Sequence, residues 1–326
     1  MKFSALADTA LDRSVVLGYS KIGSLLRRRW WPADPDPGAL AGKRVVVTGA
    51  TSGIGEAMAG CFAELGATVH MVGRDEARLR RSAGRIRGSV PAATVIEERC
   101  DVSDLDAVRA WCADLRGRID ALHGLVHNAG VLPRERRESP QGHELQLATH
   151  ILGPHVMTEE LLPLLRAAGG SSVVFVSSGG MYSSALCADD MEYRDSPYDG
   201  VRAYARTKRM QVVLAEAWSQ RLAGTDVRVE SMHPGWVQTP GVAEALPRFG
   251  QLAGPLLRDA ADGADTAVWL VATRPAGRAG HFWHDRAQRP TTFGWQRDHD
   301  AASAERFLDR VSAMTGTPNS WSRSAH

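Results

Sequence analysis

Tyr204 and Lys208 lie four residues apart, in a segment that continues with helical character from Arg209 through Trp218. On a helix that spacing sets both side chains on one face. A phenol beside a fixed ammonium can act as a proton donor tuned well below its free pKa. The plainer alternative is an ordinary surface pair. Lysine usage weighs against it: of 39 Lys plus Arg, only Lys2, Lys21, Lys43 and Lys208 are lysines. A compact point charge is what Lys supplies and Arg does not.

A second chemistry-bearing stretch is Lys43-Arg44-Val45-Val46-Val47-Thr48-Gly49-Ala50-Thr51-Ser52-Gly53-Ile54-Gly55, followed by Ala57, Met58, Cys61, Phe62 and Leu65 at helical spacing. Strand, glycine-rich turn and helix in that order let backbone approach a pyrophosphate at a helix N-terminus. The glycine spacing is GxxxGxG, and no Gly-Lys-Ser/Thr follows, so it is not a Walker A loop. The next strand, Ala67 to Val72, ends in Gly73-Arg74-Asp75. An acidic residue there would accept ribose hydroxyls. Arg74 instead suits a 2′-phosphate, which favours NADP(H) over NAD(H). Asp75 is placed to N-cap a helix over Glu76 to Arg87.

These residues need a frame, and the alternation of short apolar runs with helical patterns supplies one. Further strands are expected from Thr94 to about Cys100, over Leu122–His127, Ser172–Val176 and Val227–Met232, and at Gly280–Trp283. Helices are expected after Ser103 or Asp104, over most of Pro140 to Arg166 with a bend at Gly153-Pro154, and around Asp265 to Ala272. Such alternation implies an α/β fold with a parallel sheet covered on both faces. The polar and glycine-rich signals all fall at the C-terminal ends of strands, where open α/β sheets bind ligands. The expectation is a single Rossmann-type, doubly wound, seven-stranded sheet of order 3-2-1-4-5-6-7. It would span residues 41–285, with an N-terminal amphipathic arm (1–40) and a C-terminal extension (286–326). In the arm, Leu11, Val15, Ile22, Leu25 and Leu26 recur near helical spacing before Arg27-Arg28-Arg29-Trp30-Trp31. That pattern suits either packing on the chain's own domain or a partner subunit, or a membrane interface.

Composition excludes several classes. The net charge of +2 gives no bulk attraction to nucleic acid. Cys61, Cys100, Cys112 and Cys187 show no CxxC or zinc-like spacing, and the histidines form no metal-ligand pattern, so no metal is expected. The scattered thiols suit a reducing, cytoplasmic setting. No apolar run is long enough to span a bilayer.

Thr48 to Gly55, Asn128-Ala129-Gly130, Ser178, Tyr204-x-x-x-Lys208 and Pro234-Gly235 occur in that order. In this the chain resembles the short-chain dehydrogenase/reductase family over about residues 41 to 285. The resemblance implies that Gly49, Thr51, Ser52, Gly53, Ile54 and Gly55 hold the pyrophosphate and that Arg74 meets the 2′-phosphate. It implies that Asp101 and Val102 flank the adenine and that Asn128, Ala129 and Gly130 shape the cofactor floor. Pro234, Gly235, Val237 and Thr239 would line the nicotinamide. Tyr204 would handle the substrate proton, Lys208 would lower its pKa and hold the ribose, and Ser178 would hydrogen-bond the carbonyl oxygen, with Ser177 as its rival.

Two departures from the family pattern stand out. Ser178 and Tyr204 are separated by more than the common spacing, with Ala188 to Tyr193 filling the difference as a lid or a surface loop. His150 stands where the family often has an Asn whose carbonyl orders a relay water; a main-chain role would survive that change. The implied activity is NADP(H)-dependent interconversion of an alcohol and a carbonyl on a small hydrophobic substrate, in a possible homo-oligomer. The alternatives are a cofactor-binding module without turnover and a sugar-nucleotide epimerase or dehydratase. Trp236 and Trp283 are candidates for an apolar substrate wall or for the core.

Overall fold

Runs rich in β-branched and apolar residues, buried almost throughout in the central strands, build the sheet. They are β1 (Arg44–Thr48), β2 (Thr68–Gly73), β3 (Thr94–Arg99), β4 (Gly124–His127), β5 (Ser171–Val176), β6 (Val227–Met232) and β7 (Phe282–His284). The computed structural model describes residues 2–238, 254–293 and 299–321. Among these, with β8 at Ala287–Arg289, the sheet has eight strands in the order β3-β2-β1-β4-β5-β6-β7-β8, parallel from β3 to β7. Register sets Val46 between His70 and Leu125.

The eighth strand, β8 (Ala287–Arg289), was not expected. It turns back antiparallel on β7 through Asp285 and Arg286, both with positive φ (52° and 55°). Two left-handed residues between paired strands make the tight hairpin that usually needs Asn-Gly or Gly-Gly. Here ion pairs hold the unfavourable backbone. Asp285 is bound by Arg258 (2.5 Å) and Arg27 (2.8 Å), and Arg286 by Asp265 and Asp34 (2.6 Å each).

The helices are α1 (Lys2–Arg13), α2 (Val15–Tyr19), α3 (Lys21–Arg27), α4 (Gly53–Glu64), α5 (Glu76–Ser89), α6 (Leu105–Arg118), α7 (Leu145–Leu147), α8 (Gly153–Ala167), α9 (Gly200–Arg221), α10 (Ala260–Thr273) and α11 (Ala301–Thr315). Asp75 and Asp104 cap α5 and α6 by accepting backbone N–H groups of the first turn. One face of the sheet packs on α4, α5 and α10 around Val45, Val47, Phe62 and Trp283. The other packs on α6, α8, α9 and α11 around Leu125, Phe175, Trp218 and Phe307.

The helix expected from Pro140 starts later. Residues 140–144 are turn and bridge, and between α7 and α8 the chain makes a π turn, Ala148–Leu152, centred on His150. The Ala188–Tyr193 insertion is anchored. Ala188, Met191 and Tyr193 are buried, the Arg206 guanidinium lies 4.1 Å from the Tyr193 ring centre, and Glu192 hydrogen-bonds His143 and the Glu144 N–H.

The first three helices fold back over the C-terminal ends of β6 and β7. Trp236 N–H donates to the Tyr19 carbonyl (2.8 Å). Arg27 is fully buried, bonded to Asp8, Asp285 and the Gly18 carbonyl. The opposite side of the arm leaves Val16, Leu17, Ile22, Leu25 and Trp30 exposed.

Candidate active site

The glycine-rich turn leaves β1 and enters α4 at the C-terminal edge of the sheet. Gly49 has φ of 69°, and a Cβ there would stand 2.8 Å from the Ala129 Cα. A Cβ on Gly55 would clash with the Gly49 carbonyl and lie 2.5 Å from Asn128 Nδ2. At these two positions only glycine fits. Thr51, Ser52, Gly53 and Ile54 are partly buried along it. Ser52 occupies the N-cap of α4 without a side-chain capping bond, so the first N–H groups of the helix are left without that partner. The result is a backbone cradle with the positive end of a helix dipole, which fits a dinucleotide pyrophosphate.

Asn128 ties this cradle to β4. Its Nδ2 donates to the Thr48 carbonyl (3.0 Å), and the Thr48 hydroxyl accepts the N–H groups of Asn128 and Ala129 (3.0 Å each). Gly130 is exposed beside them. Asp101 closes a tight turn by accepting the Ser103 N–H (3.0 Å) and hydroxyl (2.7 Å). Val102 is buried against the start of α8. Arg74 is exposed directly after β2 and makes no hydrogen bond or ion pair among the described residues. One turn further on, Arg78 reaches back to the Ser52 hydroxyl (3.2 Å). Sequence reading missed Arg78, although its place four residues after Arg74 on the first turn of α5 was the available signal. Pro234, Gly235 and Val237 follow β6. Gly235 has φ of 77°, and a Cβ on it would meet Arg258 Nε at 2.6 Å and the Tyr19 carbonyl at 2.8 Å. Thr239 lies outside the described residues.

Ser178, Tyr204 and Lys208 converge beyond the end of β5. Ser178 is half-buried and its Oγ accepts the Gly180 N–H (3.1 Å). Ser177 faces the other way, donating to the Lys208 carbonyl (2.8 Å), which separates the two serines. The Lys208 Nζ lies 5.3 Å from the Tyr204 ring centre and donates to the Val176 carbonyl and to Gln211 Oε1 (2.9 Å each).

The electrostatics differ from the sequence expectation. Burial pushes the Tyr204 phenol above its usual value, and a side-chain hydrogen bond with Ser178 only partly opposes this. Burial also pushes the Lys208 ammonium down to about 7. Desolvation disfavours the charged form of each group.

His150 is buried within the π turn. Val131 N–H donates to its Nε2 (3.1 Å), so Nε2 is the bare nitrogen and Nδ1 carries the proton. Nδ1 donates to the Thr207 hydroxyl (2.8 Å), which donates to the Tyr204 carbonyl (3.0 Å). Burial, then the Lys208 charge, keeps the ring neutral by holding its pKa far below the ordinary value. The ring thus braces α9 against the segment after β4. The His150 carbonyl accepts from Gln211 Nε2 (3.1 Å). Gln211, also missed in the sequence, sits three residues past Lys208 on the same face of α9.

Of the two tryptophans, Trp283 is core, with its indole N–H on Glu230 (3.0 Å). Trp236 is half-exposed and packs on an aromatic cluster of Tyr19, Met181, Tyr182 and Phe282.

The sequence profile of the short chain dehydrogenase family matches residues 43–248. The chain belongs to that family. It is an oxidoreductase of the kind that acts on CH–OH groups with NAD(P). It is 37% identical over 252 residues to dehydrogenase/reductase SDR family member 12 of Homo sapiens, covering 76% of this chain and 78% of the relative. It is 32% identical over 269 residues to retinol dehydrogenase 14 of Mus musculus, covering 77% and 80%. Among solved structures, a short chain dehydrogenase from Salmonella enterica superposes with a TM-score of 0.63 at 24% identity, covering 78% of this chain and 100% of that one. The L-sorbose reductase of Gluconobacter frateurii, solved with NADPH and L-sorbose, superposes with a TM-score of 0.62 at 22% identity, covering 76% and 96%.

Proposed function

We propose that this short-chain dehydrogenase is an NADP(H)-preferring enzyme that interconverts a small hydrophobic carbonyl compound and its alcohol. The observation that carries the reading is the convergence of Ser178, Tyr204 and Lys208 at the end of β5, beside a backbone cradle with no room for a side chain at Gly49 or Gly55. The nicotinamide supplies the hydride chemistry when bound. The chain's residues supply the rest. The half-buried Ser178 hydroxyl donates to the substrate oxygen and opposes its developing charge. Tyr204 gives its phenolic proton to that oxygen in reduction and takes it back in oxidation. Lys208 stabilises the phenolate that forms and holds the ribose. His150 acts through position, fixing α9 by its ring and its carbonyl.

Arg74, exposed and without a partner among the described residues, and Arg78, anchored on Ser52, support the 2′-phosphate preference. The aromatic cluster around Tyr19 and Trp236, next to Gly179 and Gly235, supports an apolar substrate.

Turnover of NADPH across a panel of hydrophobic aldehydes and ketones tests the activity. Tyr204→Phe abolishes turnover and leaves NADPH affinity nearly unchanged; a Tyr204→Phe enzyme that still turns over overturns the site. Ser178→Ala lowers kcat by about 10²–10³-fold. Fluorescence titration shows tighter binding of NADPH than NADH, and Arg74→Ala narrows the gap; equal affinities in the native chain refute the phosphate preference.

The exposed apolar side of the arm, flanked by Lys21 and Arg29, supports peripheral contact with an anionic membrane. Among the described residues no helix is long and apolar enough to cross a membrane. Removing residues 1–40 would also remove buried Tyr19 and Arg27, so the cleaner test is Leu17→Glu with Leu25→Glu. The native chain pellets with phosphatidylserine vesicles and the double variant does not; if neither pellets, the contact is refuted. A homo-oligomer is the expected assembly, and light scattering of the purified protein at the monomer mass would rule it out.

A further inference from the structure

The buried Lys208 ammonium is held by two neutral oxygens, and one of them belongs to a side chain with a second task. Gln211 is fully buried on α9. Its Oε1 accepts from Lys208 Nζ (2.9 Å), and its Nε2 donates to the His150 carbonyl in the π turn (3.1 Å). The orientation of the amide is fixed by its neighbours. An ammonium can only donate and a carbonyl can only accept, so a flipped amide would lose both bonds. A π turn interrupts the regular helical ladder, and it is there that the carbonyl meets a side chain. The other bond of the ammonium goes to the Val176 carbonyl, and Ser177 pins the Lys208 carbonyl from the same strand end. Three separate elements therefore close on one cation: β5, α9 and the π turn.

We propose that Gln211 is a positioning residue for Lys208. Its amide, locked between the ammonium and the His150 carbonyl, holds the cation beside Tyr204 and supports its charge with a neutral acceptor. This rests on the Ser178–Tyr204–Lys208 reading of the site. The titratable groups around the ammonium are Tyr204, on the same helix, and His150, which is neutral and faces it from the π turn. Among the described residues no carboxylate pairs with it. Gln211 is thus the polar side chain whose replacement changes what the ammonium feels. An acceptor-free side chain withdraws support for the charge, and a carboxylate adds to it.

The small number of lysines makes this measurable without knowing the substrate. The native chain labelled with ¹³Cε-lysine carries four lysines, Lys2, Lys21, Lys43 and Lys208. In an NMR titration of the cofactor-free protein one signal titrates near neutrality and is lost in Lys208→Arg. Gln211→Met, of nearly the same shape, moves the Lys208 midpoint to lower pH, and Gln211→Glu moves it to higher pH. Midpoints that stay put, or that move in the same direction in both variants, overturn the proposal. If Gln211→Met does not fold, Gln211→Glu decides alone, since an unmoved or lowered midpoint refutes the proposal. In turnover, Gln211→Met lowers kcat by roughly tenfold to a hundredfold, the effect of losing a hydrogen bond to a charged group. Tyr204→Phe separates the two failures. If it retains turnover, the site reading falls. If it abolishes turnover while the Gln211 variants leave the lysine midpoint in place, only the role of Gln211 falls.

Discussion

Under the arm, Arg27 and Arg258 are buried against Asp285; beneath Tyr204, Lys208 is buried against a carbonyl and an amide. Both regions take cations out of water, and they do so in opposite ways. Around Asp285 every buried cation has a carboxylate: Arg27 pairs with Asp8 and Asp285, Arg258 with Asp285, and Arg289 with Asp8 (2.6 Å). Burial pushes the Asp285 carboxyl up, but the surrounding positive charges more than offset it, so its pKa lies well below the ordinary value. This cluster is fixed in one charge state across the neutral range. Among the described residues Lys208 has only neutral acceptors, and burial brings its pKa down to about 7. Arginine with a carboxylate makes a permanent brace, whereas lysine with neutral oxygens makes a group poised to change charge.

The comparison breaks most sharply at Asp285. Asp285→Asn leaves Arg27 and Arg258 buried without their shared counter-ion and removes one of the two sets of ion pairs that hold the left-handed hairpin. The expected loss is about 3–5 kcal/mol of stability, read by urea denaturation. A loss below about 1 kcal/mol would mean that the cluster is solvated and does not brace the arm.

An intermediate effect is expected on the acid side. Burial raises the Glu98 carboxyl, but hydrogen bonds from His70, Arg118 and Trp111 outweigh it and bring it down to about 2. Asp285 is depressed in the same sense. For a depressed carboxylate the unfolded chain binds the proton first. Its stabilising contribution is therefore full above the ordinary carboxylate value and drains away as pH falls through the folded value. Stability should drop between about pH 4 and pH 2, with Glu98 alone contributing on the order of 2 kcal/mol. A Glu98→Gln variant whose acid limb matches the native one contradicts this.

How legible these regions were in the sequence follows the same division. The strands, the glycine-rich turn and the caps at Asp75 and Asp104 rest on contacts within a few residues, so periodicity and turn chemistry found them. Ser178, Tyr204 and Lys208 were legible because the family resemblance fixes their types and order. The Asp285 cluster was not, since Arg27 and Asp285 are 258 positions apart and no local pattern links them. The β7–β8 hairpin was hidden because Asp-Arg replaces the usual glycine or asparagine, with distant ion pairs holding its backbone. The π turn at Ala148–Leu152 carries no propensity signal, and Gln211 acquires its partners only when that turn meets α9. The expected depression of the Tyr204 phenol did not emerge because spacing places the pair on one helix face but does not show the burial that raises the phenol.

The smallest effect sharpens the comparison from the other side. Lys208 has a folded pKa below its unfolded one, so between about pH 7 and pH 10 the unfolded chain binds more protons than the folded one. Stability therefore rises with pH across that window as the buried ammonium becomes neutral, opposite to what a paired cation would show. Lys208→Met removes the titrating group, and the rise between pH 7 and pH 9, roughly 1–2 kcal/mol, should flatten with it. Arg27→Met should leave that slope intact while lowering stability at every neutral pH, because Arg27 keeps its charge and its carboxylates throughout. If instead Lys208→Met leaves the slope unchanged, water reaches the ammonium in the folded chain. The contrast between a poised lysine and a braced arginine would then be one of geometry alone.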